Sequence, residues 1–286
     1  MTGPYVLTFS CADAVGIVAA VTGLLAERDG FILDSQQYAD LGSGRFFMRV
    51  AFRGAGPRFP EGLAGVQAAF APIVDRFAMD ARISDSAAKP RFIIAVSQGS
   101  HCLNDLLHRW STGNLAIDIV AVVSNHEHQR RLSEWHGVPF HHFPVNDANR
   151  PQQEARILDL MARSGADYLV LARYMQVLSQ DLSGKLAGRC VNIHHSFLPG
   201  FKGAKPYHRA QERGVKLIGA TAHFVTSDLD EGPIIEQAVE RVDHRDSVED
   251  LIRIGRDVEA QVLAKAVRWV AEQRVLIDGR KTVVFR

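Results

Sequence analysis

The stretch Cys190-Val191-Asn192-Ile193-His194-His195-Ser196-Phe197-Leu198-Pro199-Gly200 carries residues suited to carbonyl chemistry. Its first half reads as a buried strand that ends on polar groups, and Pro199-Gly200 turns the chain. Strand alternation puts Asn192 and His194 on one side, close enough to reach a single reacting atom. An amide donor beside an imidazole suits a carbonyl that becomes an oxyanion. His195 should point away on a regular strand and serve the structure. Taken alone, an Asn-x-His pair is more simply explained as hydrogen bonding to buried backbone at a strand end.

A second stretch runs from Gly219 through His223, Asp228, Asp230 and Glu231 to Gly232-Pro233-Ile234-Ile235. It reads as a strand, an acidic loop with Gly-Pro punctuation, and another apolar strand. By itself the acidic loop is better read as a solvated turn than as a carboxylate site. His126-x-His128, His141-His142 and His194-His195 have no spacing typical of metal ligands, and Cys11, Cys102 and Cys190 are too scattered for a disulfide framework or a metal site. Each cysteine is expected to be a reduced, buried thiol, and no metal is expected.

These residues must be positioned by ordered elements, and the chain is long enough for two cores: 286 residues, 47% hydrophobic and 23% charged. None of the 12 histidines precedes His101, so groups that exchange protons near neutrality crowd into the later part. Ser84 to Pro90 is a small, polar stretch between apolar runs, which predicts domains over 1–84 and 91–286 with a linker over 85–90.

The first domain reads as strand Tyr5–Ser10, helix Val15–Arg28, strands Phe31–Tyr38 and Arg45–Phe52, helix Glu61–Val74 and strand Phe77–Ile83. This is a ferredoxin-like βαββαβ order. The second reads as apolar strands, Phe92–Val96, Ile117–Val123, Phe140–Phe143, Tyr168–Ala172 and Cys190–Ile193, alternating with helices. A doubly wound, mostly parallel α/β sheet follows, with its ligand at the carboxyl ends of the strands. The closing helix is expected from about 248 to 274 with Ser247 as N-cap, leaving Val275–Phe285 for a strand or two.

A net charge of +1 without a Lys/Arg run argues against nucleic acid, and Ser97-Gln98-Gly99-Ser100-His101, with one glycine, argues against a dinucleotide or phosphate loop. The start of the chain does not read as a signal peptide and no apolar run would span a bilayer, so no membrane is expected and the cytoplasm is the default.

Together the two stretches resemble the folate-dependent formyltransferase family, which pairs Asn-x-His-x-S-x-L-P with a later H-F-V-T-x-x-x-D-x-G-P. The resemblance implies Asn192, His194 and Asp230 as the catalytic set. It also implies a folate slot lined by Leu171, Arg173, Tyr174 and Met175 and by the Asp228–Gly232 loop, with no cofactor because folate is the substrate. Gly200-Phe201-Lys202-Gly203 through His208, Ser100-His101-Cys102-Leu103 and Gly255-Arg256-Asp257-Val258-Glu259 are closer still to the formyltetrahydrofolate deformylases, and add Gly200, Lys202 and Gly203 to the substrate residues. Asn104 departs from the glycine expected there.

The front domain resembles an ACT domain, whose signature is an acid and a glycine at the first strand-to-helix turn, here Asp13-Ala14-Val15-Gly16-Ile17. That resemblance implies an amino-acid effector at Asp13, Val15, Gly16 and Ile17, and a homo-oligomer. The reaction so implied is hydrolysis of 10-formyltetrahydrofolate to tetrahydrofolate and formate, which supplies formate for one-carbon and purine metabolism. Water attacks while Asn192 and protonated His194 serve the oxyanion, and Asp230 either orients His194 or relays a proton. The main alternative is formyl transfer to an amine such as glycinamide ribonucleotide. An inactive amino-acid sensor and a metal-dependent amidohydrolase are weaker readings.

Overall fold

Tyr5, Leu7, Phe9 and Cys11 alternate along β1 (Tyr5–Ala12) and enter one core with Ile17, Val21 and Leu25 of α1 (Ile17–Glu27) and with Val66 and Phe70 of α2 (Gly62–Arg76). Each such large apolar side chain, once fully buried, contributes about 1.5–3 kcal/mol. In the computed structural model, which describes residues 4–198 and 206–286, these elements form the βαββαβ order expected. The remaining strands are β2 (Gly30–Asp40), β3 (Arg45–Gly54) and β4 (Asp80–Asp85), in an antiparallel sheet of order β2-β3-β1-β4.

Several boundaries differ from expectation by one to three residues. The first helix starts at Ile17, because Gly16 takes a left-handed φ of 96° at its N-cap and leaves Val15 outside the helix, fully exposed. The last strand starts at Asp80, because Ala78 adopts φ 46° and the Met79 N–H closes back on the Val74 carbonyl. The strand also runs through Asp85, and Ser86 donates to the Pro4 carbonyl, so the compact unit extends to Lys89 where a linker over 85–90 was expected.

That unit also contains Glu272–Asp278 and Thr282–Arg286, which the sequence assigns to the second domain. They belong to a hairpin of β12 (Val275–Asp278) and β13 (Lys281–Val284). The Arg49 guanidinium donates to the Glu272 carbonyl at 3.3 and 3.1 Å and pairs with Asp34 at 2.8 Å. Thr8 and Ser10 of β1 are buried on the sheet face away from the helices, and β12 packs against that strand. The hydrophobic pattern of 275–285 shows strands but not which sheet they cover.

The second unit, Pro90–Ala271 with Gly279–Lys281, is built on a seven-stranded sheet of order β11-β10-β9-β8-β5-β6-β7. Its strands are β5 (Arg91–Val96), β6 (Asp118–Ser124), β7 (Phe140–His142), β8 (Tyr168–Leu171), β9 (Cys190–His194), β10 (Leu217–Phe224) and β11 (Ile234–Arg241). The first five are parallel and the last two antiparallel. Helices α3 (His101–Ser111), α4 (Arg130–Trp135), α5 (Arg150–Ser164), α6 (Gln180–Lys185), α7 (Pro206–Glu212) and α8 (Val248–Ala271) make up the rest.

Ile93, Ala95, Leu169 and Leu171 pack against Ile157, Leu160 and Leu182, while Phe92, Ile94 and Val96 are buried on the other face. Burial on both sides accounts for the unbroken apolar run of β5. Ser247 caps α8: its Oγ accepts from the Asp250 N–H while the Asp250 carboxylate accepts from the Ser247 N–H, each at 3.1 Å. The sheet reverses its strand order between β5 and β8, which opens a crevice at their carboxyl ends.

Candidate active site

Beside that crevice, β9 ends on His194, with Asn192 two residues earlier. Antiparallel pairing sets Asn192 opposite His223 and His194 opposite Thr221. The loop after β10 returns Asp230 to the same place. Asp230 itself adopts a left-handed φ of 57°, and a Cβ at Gly232 would lie 1.7 Å from the Phe224 carbonyl oxygen, so only glycine lets the loop close against the strand.

Asp230 Oδ1 lies 3.2 Å from His194 Nδ1 and 3.7 Å from His223 Nε2. His223 Nδ1 is 2.9 Å from the Phe224 carbonyl oxygen, so Nδ1 donates there. Its Nε2, when unprotonated, accepts from the Asn192 amide at 3.2 Å. Asn192 is therefore oriented through one amide N–H, and the other has no acceptor among the described residues. Burial disfavours the Asp230 carboxylate, but the hydrogen bond from His194, with the His223 ring close by, outweighs it and holds the carboxyl far below its usual range. His194 Nε2 is buried and has no hydrogen-bond partner among the described residues.

Asn192, His194 and Asp230 open together on a cleft of about 370 Å³, whose wall includes Leu171, Arg173, Tyr174, Met175 and Asp228. The Tyr174 hydroxyl accepts from Gln153 at 2.7 Å, and burial pushes that phenol up to about 12. Gly232 is not on the cleft wall; it acts through the close packing just described. Gly200, Lys202 and Gly203 lie outside the described residues. In the first unit, the Asp13 N–H donates to the Gly44 carbonyl, Val15 projects into solvent, and the Ile17 side chain is in the core, so only its backbone could meet a ligand.

His195 departs from the regular strand on which it would point away. Strand β9 stops at His194, and the His195 ring stacks on that of His194, with centroids 4.9 Å apart and planes inclined by 19°. Behind it is a cluster centred on Glu259 of α8, which the sequence named within the Gly255–Glu259 motif but gave no role. Glu259 accepts from Tyr207 and contacts His101, both at 2.8 Å, and pairs with Arg173 at 3.2 Å; Arg173 Nη1 reaches His195 Nδ1 at 2.7 Å. Arg173 sustains this bridge from a left-handed φ of 63°. Burial opposes the Glu259 charge, but the His101 hydrogen bond and the Arg173 charge win and lower its pKa.

His101, Cys102 and Glu259 also bring three possible metal ligands within 4.8 Å. The Glu259 oxygens are already engaged by His101, Arg173 and Tyr207, and burial pushes the Cys102 thiol well up, so the set does not fit an ion as it stands. All three cysteines are free and buried, as expected. Among the described residues, no helix is long and apolar enough to cross a membrane.

The formyl transferase family model matches residues 90–267. The formyltetrahydrofolate deformylase of Corynebacterium sp. (strain P-1) is 49% identical over 282 residues, covering 99% of this chain and 98% of that protein. A solved formyltetrahydrofolate deformylase from Burkholderia mallei is 52% identical with a TM-score of 0.94, covering 99% of this chain and 100% of that one. Glycinamide ribonucleotide transformylase 1 from Symbiobacterium toebii, at 31% identity and a TM-score of 0.65, covers 69% of this chain and 95% of its own. The chain belongs to the formyl transferase family and, within it, to the formyltetrahydrofolate deformylases.

Proposed function

We propose that the enzyme hydrolyses 10-formyltetrahydrofolate to tetrahydrofolate and formate, with Asn192, His194 and Asp230 as its catalytic residues and folate as substrate rather than cofactor. The observation that carries this reading is the meeting of the three side chains on one cleft at the carboxyl edge of the sheet. Water adds to the formyl carbon while the free Asn192 N–H donates to the developing oxyanion. His194 takes up the water proton at Nε2, donates as an imidazolium toward the oxyanion, and returns the proton to N10 as the C–N bond breaks. The 3.2 Å contact from Asp230 to Nδ1 supports an orienting and charge-balancing part for that carboxylate.

Water is favoured over a phosphorylated amine by the loop after β5. It has one glycine, Gly99, where a phosphate cradle is glycine-rich, and the His101 imidazole, tied to Glu259, lies 3.6 Å from where a Cβ on Gly99 would sit. Incubation with 10-formyltetrahydrofolate alone should yield tetrahydrofolate and formate. Turnover only after glycinamide ribonucleotide or another amine is added would replace hydrolysis by transfer.

The βαββαβ unit with antiparallel order β2-β3-β1-β4 supports reading it as a ferredoxin-like, ACT-type regulatory domain, and the same proposal takes the enzyme as a cytoplasmic homo-oligomer. Its turn at Asp13–Ile17 would take a small amino acid through free N–H groups at the start of α1. Titrating the common amino acids against activity and thermal stability tests this, and no response to any of them would remove it.

A further inference from the structure

The two stacked imidazoles at the end of β9 are each anchored by Nδ1, His194 on Asp230 and His195 on Arg173. A guanidinium can only donate. Nδ1 of His195 therefore accepts, and the ring proton sits on Nε2. That nitrogen, like Nε2 of His194, is buried and has no hydrogen-bond partner among the described residues. A buried donor left without an acceptor costs about 1–3 kcal/mol, so its retention beside the reacting groups calls for an oxygen that arrives with the reaction. His195 lines the same cleft as Asn192, His194 and Asp230.

The tautomer is held from behind. Glu259 fixes Arg173, and Tyr207 and His101 fix Glu259. Burial first, and then the charge of Arg173, push the His195 ring down to about 4, with His194 adding to them and Glu259 and Asp230 opposing. The ring thus stays neutral near pH 7, with one donor and no proton to give up.

We propose that His195 Nε2–H donates to the oxygen that water contributes, holding it through the tetrahedral intermediate and into the product. This rests on the hydrolytic reading. A C–O bond forms as one water proton passes to His194 Nε2. The C–N10 bond then breaks as that proton moves to N10, releasing tetrahydrofolate and formic acid, which ionises to formate. Asn192 serves the original formyl oxygen and His195 the new one. The same donor selects against amines. As its bond to carbon forms, and until it gives up a proton, an attacking amine has spent its single lone pair and presents only N–H to His195, whereas oxygen keeps a lone pair to accept throughout.

The test compares purified wild type with His195→Phe, which keeps a stacking ring without nitrogen, and His195→Gln, which restores an amide donor. With 10-formyltetrahydrofolate as substrate, His195→Phe should lose about 10²-fold in kcat with KM nearly unchanged, as for one lost oxyanion-type donor. His195→Gln should recover part of that loss. With glycinamide present, the Phe variant should form a larger share of N-formyl product than wild type. Should the Phe variant not fold, His195→Ala with added imidazole replaces it, and rescue by imidazole is expected. A Phe variant with wild-type kcat, a Gln variant as slow as Phe, failure of imidazole rescue, or an unchanged product share would overturn the proposal. A wild type that makes no formate without an amine would instead overturn the hydrolytic reading, and this proposal with it.

Discussion

Gly255 of α8 lies directly beneath Tyr207: a Cβ at position 255 would sit 2.0 Å from the Tyr207 hydroxyl oxygen, the atom that donates to Glu259. The small residue is what lets the phenol reach the carboxylate. Gly255→Ala should displace Tyr207, break that bond and destabilise the protein by about 1–3 kcal/mol, the usual cost of overpacking. Denaturant melts would read this as a lower midpoint at unchanged slope, and a wild-type midpoint would contradict it.

His194→Ala should lower kcat by about 10²- to 10⁴-fold and leave folate binding largely intact, because the residue acts on protons in the transition state. Asn192→Ala should cost about 10²- to 10³-fold through loss of one oxyanion donor. Steady-state kinetics on folded variants decide this, and near-wild-type turnover in either would remove the assignment.

Acid stability follows from His195. Its pKa is about 4 in the fold and about 6.5 unfolded. Between those values the unfolded chain binds the extra proton, so His195 lets stability fall as pH drops from about 6.5 to 4. His195→Phe should therefore show a flatter fall in melting temperature across that window. Asp230, lowered in the fold, acts further down: its contribution is complete above about 3.9 and is lost as pH falls toward its depressed value. An identical pH profile for wild type and His195→Phe would show that the ring is not held neutral.

Extensive dialysis against a chelator should leave hydrolysis unchanged, since the proposed chemistry runs on protons and the Glu259 oxygens are already bonded. Activity lost on dialysis and restored by a stoichiometric divalent ion would place a metal in the mechanism.

Much of the site was legible in the sequence because strand periodicity is local. Asn192 and His194 fall on one side of β9 by alternation alone, and Asp230 is marked by the Gly-Pro that follows it. His223 was in view within the second stretch, but its partnership with Asn192 depends on the antiparallel register of β9 and β10. The place of His195 was misread because alternation fails once the strand ends. Glu259 is 86 residues from Arg173 and 158 from His101 in the chain, and no local pattern joins them. In the fold, Gly16 was seen as a turn residue, but its left-handed φ, which pushes Val15 out of the helix, was not.

The hairpin of β12 and β13 has a consequence for biosynthesis. The Arg49 guanidinium donates to the Glu272 carbonyl across 223 residues, and the Gln36 amide donates to the Arg286 carbonyl across 250. At about 5–20 residues per second, the ribosome needs roughly 10–40 s to make the chain between Lys89 and Glu272. For that interval the nascent first unit has its sheet and helices but not its hairpin, and closing so long a loop afterward carries an entropic cost that grows with the logarithm of its length. The first unit to emerge is thus the last to be finished.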